Sequence, residues 1–471
     1  MQPYFSFESD LWREAQGAQL RINRFERVQD HPAVARGPQG APDAHWASWP
    51  SVVHHDGGFR MWYTAIRPIP QGLDCWLVDD LIRICTAQSD DGVHWHKPDL
   101  RLVADDCGAA PCNIVPFPKR LLHMVGVVHD GKRFVAQGLF QRMLKDRHQP
   151  QSTFAAYVSD DGLHWRGEGR PATQVQHYES ANSMLHARGR YWVIGQGVSP
   201  YFTLPGGRPC GRVAFAYHSL DLKQWKLERR PAYAYPVPAH APFRYGALQV
   251  HGGIVGTDRG RIIRGFVGQM WPGAFTDDVR TTFGLAYSYD AKHWREPLPG
   301  EPLILPIEGN WEQGMIVQGC GCYARGRYTY TWYSAANGGN WWTLSRAIGV
   351  ARIRRDGFAH WQVAPKQRAA VLQTDAIRLS AADRSLYLNV SASGQSLVDV
   401  EVLGLRGGRP LLAAQVRCDE VLHETLALNG LASRQRSIRL RFKLHGRAKL
   451  FGFYLGAPGQ GAVYLRPWRS C

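Results

Sequence analysis

Seven residues, SDDGVHW (Ser89–Trp95), return as SDDGLHW (Ser159–Trp165). Two weaker copies follow, SLDLKQW from Ser219 and SYDAKHW from Ser288, and all four fit S-x-D-x-x-x-W. Their serines are separated by 70, 60 and 69 residues, and a fifth position without the serine falls at RRDGFAHW, Arg354 to Trp361. Self-similarity at a steady period marks a repeat architecture, in which each copy is one supersecondary unit. Four copies of one heptad cannot all be a catalytic signature, so the heptad reads as scaffold.

What precedes each heptad is also repeated. PSVVHHDGGFRMWYTA (Pro50–Ala65) reads as two short apolar strands around an Asp-Gly-Gly turn, and LIRICTAQ then leads into the first heptad. The same layout recurs in MVGVVHDGKRFVAQGLF, NSMLHARGRYWVIGQGV, GGIVGTDRGRIIRGFVGQM and MIVQGCGCYARGRYTYTWYSA. Strand, tight turn, strand, longer loop, strand, heptad, strand describes a four-stranded antiparallel meander written five times. Four strands per period is the pattern of propeller blades. Within it the heptad Asp accepts hydrogen bonds from turn amides, Gly supplies the positive φ, and Trp packs between blades. From about Pro365 the texture changes: SLVDVEVLGL and SIRLRFKL alternate apolar and polar residues with period two, and no heptad occurs. The expected fold is all-β, a five-bladed β-propeller followed by a C-terminal β-sandwich. The expected division is a lead-in over 1–29, the propeller over 30–365 and the sandwich over 366–471.

A formal charge of +17 raises the question of nucleic acid. Only ten of the 56 basic residues are Lys, the arginines are spread along the chain, and no basic arm or nucleic-acid motif is present. The expectation is no nucleic-acid partner, with an anionic sugar as the alternative use of the charge. The nine cysteines have irregular spacing, without a partner pair for Cys107/Cys112 or Cys320/Cys322 that would make a zinc site. Buried free thiols, no metal and no cofactor are expected. The N-terminus lacks a basic stretch followed by an apolar core, and no apolar run reaches spanning length. A cytoplasmic location without membrane contact is the expectation, and the sequence sets no oligomeric state.

Propeller ligands bind on the axis, where loops lead into each innermost strand, so polar residues just upstream of those strands are the candidates. Unit 1 offers Asp43, His45, Trp46 and Trp49; unit 2 offers Asp105, Asp106 and Asn113. Unit 3 offers His177, Tyr178, Glu179 and Asn182; unit 4 offers His240, Arg244 and Tyr245; unit 5 offers Glu308, Trp311, Glu312 and Gln313. Carboxylates converging from opposite blades are what glycosidic cleavage requires: one protonates the leaving oxygen while another stabilises or attacks the anomeric carbon. Trp46, Trp311 and Tyr178 would supply flat faces for sugar rings.

The SDDGxHW repeat, the blade spacing and the trailing sandwich resemble the five-bladed propeller glycoside hydrolases, the superfamily containing families 43 and 32. The resemblance spans about residues 30 to 465 and implies glycoside hydrolysis without an organic cofactor. ESANSMLHARGRYW matches the layout around the family 43 acid, which implies Glu179 as general acid. Those enzymes carry Asp directly before Pro-Ser-Val in the first blade, where this chain has Trp49. Asp43 is the substitute implied from the same loop, and Asp106 the substitute for the Asp that tunes the acid. Glu312 in WEQGMIV resembles a fifth-blade acid of family 130-like propellers. Asn113, Asn182 and Arg244 complete the substrate-binding set.

The leading expectation is a glycosidase acting on an oligosaccharide or polysaccharide terminus. A phosphorylase of the same fold needs one protein acid plus cationic holders such as His45, Arg142 and Arg244. An inactive carbohydrate-binding propeller fits the Asp missing before Pro50. A sialidase, whose turn motif is one residue longer, fits less well.

Overall fold

A computed structural model describes residues 1–68, 81–103, 111–118, 122–142, 151–172, 175, 178–180, 182–198, 203–204, 208–209, 211–236, 247–273, 279–339, 345–406, 408–431 and 435–465. Among them, five antiparallel meanders follow one another. Unit 1 pairs Trp46–His55 with Gly58–Ile66 and then Ile82–Ser89. Unit 2 runs Leu122–His129, Phe134–Arg142, Gln151–Ser159 and Arg166–Gly169. Unit 3 runs Leu185–Ala187, Arg190–Val198, Arg212–Ser219 and Lys226–Leu227. Unit 4 comprises Gln249–Asp258, Ile263–Met270 and Thr281–Ser288, and unit 5 comprises Met315–Arg325, Tyr328–Ala336 and Arg346–Arg354. The pair Glu26–Arg27 adds to the outside of unit 5. Ile263–Met270 and Thr281–Ser288 are buried at every position, because neighbouring units cover both faces of the sheet. That is why these strands read as nearly unbroken apolar runs.

In four of the five units the inner strand breaks its ladder at one place. The register shifts between Ser48 and Ser51, His123 and Gly126, Val250 and Ile254, and Gln318 and Cys322. These are bulges, which bend a strand and free backbone groups from the ladder. The freed groups join the units. Trp49 N donates to Ser334 Oγ at 2.6 Å, Met124 N to Thr64 Oγ1 at 2.9 Å and Gly252 N to Gln196 Oε1 at 2.7 Å. Asn182 N donates to Met124 O at 3.0 Å, and Gln318 Nε2 reaches His251 O at 3.3 Å and Gly253 O at 3.2 Å. Every seam between consecutive units, and the seam from unit 5 back to unit 1, therefore carries a hydrogen bond at bulge level.

The heptads are turns. Asp91 Oδ1 accepts from Val93 N and His94 N at 2.8 Å each, and Asp161, Asp221 and Asp290 accept equivalent pairs at 2.8–2.9 Å. The Ser89, Ser159, Ser219 and Ser288 hydroxyls each take the amide three residues on, at 2.9 Å. Burial pulls the Asp91 carboxyl upward, but the His94 amide and ring and the other donors outweigh it and hold it down at about 2. At the fifth position Asp356 instead binds Arg259 at 2.7 Å and the Tyr454 hydroxyl at 3.0 Å, joining propeller to sandwich.

The sandwich has two six-stranded sheets around a core that includes Leu388, Val400, Leu440, Phe442 and Phe453, each wholly buried. Residues expected only as a lead-in contribute here. Gln2–Phe5 pairs with Lys449–Gly456, Trp12–Gln16 with Ala369–Thr374, and Ala18–Ile22 with Ala359–Val363. WREAQ and AQLRI are too short and polar to announce themselves as strands; they become strands because sheet edges are there to receive them. One further expectation needs correcting. Cys112 is disulfide-bonded, with a partner outside the described residues, while Cys85, Cys320, Cys322 and Cys418 are free thiols.

Candidate active site

The last residue paired before the bulge is Ser48 in unit 1, His123 in unit 2, Val250 in unit 4 and Gln318 in unit 5. In unit 3 the place is taken by Glu179, through its bridge to Gln196. Glu179 is thus the one carboxylate among these five described positions. It is half-buried, and its Oε2 accepts from Gln196 Nε2 at 2.5 Å. Gln196 is 2% exposed and holds Gly252 N with its other end, so one amide ties the Glu179 carboxylate to the neighbouring unit. Beyond the bulges the axis is closed by packing: Cys320 Sγ lies 4.0 Å from Val127 O and 3.6 Å from Met184 O. A ligand approaching along the axis therefore stops at the bulge level.

The groups around that level are mostly neutral or cationic. Burial lowers the His123 imidazole to about 4, and burial with the charges of Arg212 and Arg346 lowers His251 to about 3. Both rings are neutral at pH 7. Arg346 is 1% exposed, with its guanidinium 3.9 Å over the Trp46 ring and 5.1 Å from that of Trp49. Stacking on two indoles offsets much of the cost of holding that charge away from water. Arg346 also lines a cavity of ≈ 830 Å³ between units 5 and 1, together with Arg36, Trp311, Asn337 and Ser345. A second cavity of ≈ 730 Å³ between units 4 and 5 is lined by Arg280, Glu308, Gln313 and Asn337. Both open on the face where loops enter the inner strands.

The other expected residues fall into different settings. Asp43 is 1% exposed, and its Oδ2 takes the Tyr63 hydroxyl at 2.8 Å and Lys97 Nζ at 2.5 Å, while Oδ1 takes Gly37 N at 3.1 Å. Asn113 joins this network, donating to the Tyr63 oxygen at 2.7 Å and to Thr86 O at 2.8 Å. Glu312, also 1% exposed, is held by Arg27 Nε at 2.7 Å and the Tyr333 hydroxyl at 2.6 Å. Asn182 takes the left-handed φ of 55°, and its Nδ2 donates to Pro50 O at 2.9 Å. Tyr178 is a core residue, 1% exposed, whose oxygen accepts from Gly195 N at 2.9 Å. Trp46 and Trp49 are 0% and 3% exposed, and His45 stacks beside Trp46 at 6.2 Å. Trp311 alone of the expected aromatic platforms is half-buried and faces a cavity, backed by Tyr333 at 6.4 Å. Asp106, Arg244 and the Arg142 side chain lie outside the described residues.

Sequence reading passed over His123, Gln196, His251, Gln318 and Arg346. The available signal was the break in each inner strand: a polar residue directly before W-P-S, M-V-G, G-G-I or G-C-G. As to metals, the one group of His, Cys and carboxylate found close enough together among the described residues lies in the sandwich, away from the axis.

No family model matches the chain. Uncharacterized proteins of two Mycobacterium tuberculosis strains are similar to part of it: one is 32% identical over 149 residues, the other 31% over 152. Each alignment spans 31% of this chain and 41% of the relative, so the chain matches well under half of either curated protein. Solved structures with a similar course include a glycoside hydrolase (14% identity, 70% of this chain and 92% of that one, TM-score 0.47). Another comes from the GH130 family of mannoside phosphorylases, described as containing glycoside hydrolases for β-1,2 mannosidic linkages in Candida mannan (15%, 71% and 94%, 0.45). A third is a Bombyx mori GH32 β-fructofuranosidase (11%, 91% and 94%, 0.41).

Proposed function

We propose that the chain is a carbohydrate-active enzyme that cleaves a glycosidic bond at the propeller axis, with Glu179 protonating the leaving oxygen. The observation that carries this reading is the place of Glu179: an inner-strand bulge, half-exposed, with its carboxylate oriented by Gln196. A general acid must be reachable and fixed in direction, and a hydrogen bond from a buried amide fixes it. The cavity between units 5 and 1, lined by Trp311, Arg36 and Arg346, suits a sugar carrying a negative group. In this reading Asp43 and Glu312 fasten entrance loops and take no part in the chemistry.

The same observation favours a second reading. If Asp43 and Glu312 are committed to their partners, the described ring offers one acid, Glu179, and one buried arginine, Arg346. One acid and a cation are what phosphorolysis uses, with phosphate in place of an activated water. The test is product analysis on a panel of neutral and acidic oligosaccharides, with and without phosphate, for wild type and Glu179→Gln. Free sugar indicates hydrolysis, and sugar phosphate that appears only with phosphate indicates phosphorolysis. Turnover unchanged in Glu179→Gln would sink the acid assignment, and binding without any product would make the propeller a binding module.

A further inference from the structure

We propose that the sandwich binds one divalent cation of the zinc class at the corner formed by Cys418, Glu420 and His423. One ligand atom from each, the thiol sulfur, a carboxylate oxygen and a ring nitrogen, lies within 4.8 Å of the others. His423 Nδ1 is 3.3 Å from Glu420 Oε2. This inference is independent of the reading of Glu179.

The backbone makes the corner. On an uninterrupted strand, residues three apart point to opposite faces. In Asp419–Ala427 the register shifts: Glu420 pairs with Val390, but His423 pairs with Leu388, so three steps on one strand match two on the other. That extra residue is a bulge, and it turns Glu420 and His423 to one side. The segment is held on both flanks. Cys418 O accepts from Ala392 N at 2.7 Å, Asp419 O from Arg327 Nη2 at 2.7 Å, and His423 O from Thr425 Oγ1 at 3.0 Å. The ligands therefore hang from a backbone already fixed, and side-chain rotation of about an ångström brings them to tetrahedral spacing, given metal–ligand bonds of roughly 2.0–2.3 Å.

Donor chemistry selects the ion. Thiolate and imidazole favour zinc or cobalt over calcium or magnesium, which prefer oxygen alone. The Arg354 guanidinium donates to Asn389 Oδ1 at 2.7 Å, Asp419 Oδ1 at 2.6 Å and Val390 O at 2.9 Å. Binding converts the Cys418 thiol to thiolate and releases its proton to solvent. The Glu420 side chain is 54% exposed, which leaves the fourth coordination position open to water. Asp419 contacts arginines of unit 5, so a cation here would stiffen the junction of sandwich and propeller.

Full-length protein stripped with EDTA and titrated with Co²⁺ tests this by absorption. The expected result is one equivalent bound, with tetrahedral visible bands and a near-ultraviolet thiolate-to-cobalt band, both removed by Zn²⁺. Cys418→Ser should abolish the thiolate band and weaken zinc on the order of tenfold or more, and His423→Gln should weaken binding while keeping the band. The remaining free thiols among the described residues, Cys85, Cys320 and Cys322, are buried and serve as internal controls. Far-ultraviolet circular dichroism establishes that each variant is folded. The absence of a stoichiometric spectrum in wild type, or an unchanged spectrum in both folded variants, overturns the proposal.

Discussion

Units 3 and 5 each place a glutamate at the entrance to the inner strand. Glu312 comes three residues before its strand, is 1% exposed, and gives its two oxygens to Arg27 and Tyr333. Glu179 comes at the bulge itself, is half-buried, and its Oε2 accepts from the neutral Gln196. Unit 1 repeats the arrangement of unit 5. Asp43 also precedes its strand by three residues, and its partners are Tyr63 and Lys97. The two tyrosines sit in matching tetrapeptides, WYTA (Trp62–Ala65) and WYSA (Trp332–Ala335). A carboxylate clasped by a phenol and a cation is thus a repeated structural device here, whereas Glu179 has a setting of its own.

The comparison is broken most directly by exchanging each acid for its amide. Glu179→Gln is expected to cut turnover by roughly 10²–10⁴-fold, the usual worth of a general acid, with stability changed by no more than about 0.5 kcal/mol. Glu312→Gln and Asp43→Asn should do the reverse. Each leaves a buried site with an unmatched cation, at a cost of about 3 kcal/mol in urea unfolding, while the folded fraction keeps activity within a few-fold. Loss of turnover in Glu312→Gln at full stability would return that residue to the chemistry.

The repeat was legible because it is local. An Asp that binds the amides two and three residues ahead needs no partner from elsewhere, so SDDGVHW declares its turn in seven letters. The propeller class and the period-two sandwich followed from patterns of the same short range. The partners of Asp43 and Glu312 were not legible because they are remote: Lys97 is 54 residues from Asp43, and Arg27 is 285 from Glu312. The Thr64, Ser334 and Gln196 contacts acquire meaning only when the ring closes, so nothing in one unit's sequence points to them. His123, His251 and Arg346 sit among apolar residues and look like core residues until the bulges place them beside the axis.

A third carboxylate–phenol clasp sharpens the contrast. Glu296 takes the Tyr233 hydroxyl at 2.7 Å, Gln269 Nε2 at 3.2 Å and Gly300 N at 3.0 Å, and forms no salt bridge among the described residues. Burial raises its carboxyl from 4.5 to about 7, against the pull of those donors. The folded state therefore holds this proton more tightly than the unfolded chain does. Its contribution to stability is complete below about pH 4.5 and is lost as the pH rises through about 7. Glu296→Gln, a permanent mimic of the protonated form, should raise stability at pH 8 by about 2 kcal/mol and leave it unchanged near pH 4. An equal effect at both pH values would mean that packing, not titration, governs the site.

The smallest effects come from the turns, where the copies differ at one position. Gly92 and Gly162 take φ of 75° and 73°, while the same place holds Leu222 at 66° and Ala291 at 65°. A Cβ on Gly162 would lie 2.7 Å from Trp62 Cζ2 and 2.9 Å from Arg60 Nη1. Gly162→Ala thus adds a clash to the left-handed penalty and should cost about 2 kcal/mol. Ala291→Gly relieves roughly 1 kcal/mol of backbone strain but removes a wholly buried methyl worth about 0.8 kcal/mol and loosens the unfolded chain. The net change should stay within about 0.5 kcal/mol, read as a urea midpoint close to that of wild type at unchanged slope. The asymmetry has a structural cause: unit 1 presses Trp62 onto the Gly162 turn, donating Nε1 to Gly162 O at 2.8 Å, whereas the methyl of Ala291 is accommodated in the core beside Trp294. If the two substitutions cost the same, the backbone angle alone would decide which residue each turn accepts, and the neighbouring tryptophan would have no part in it.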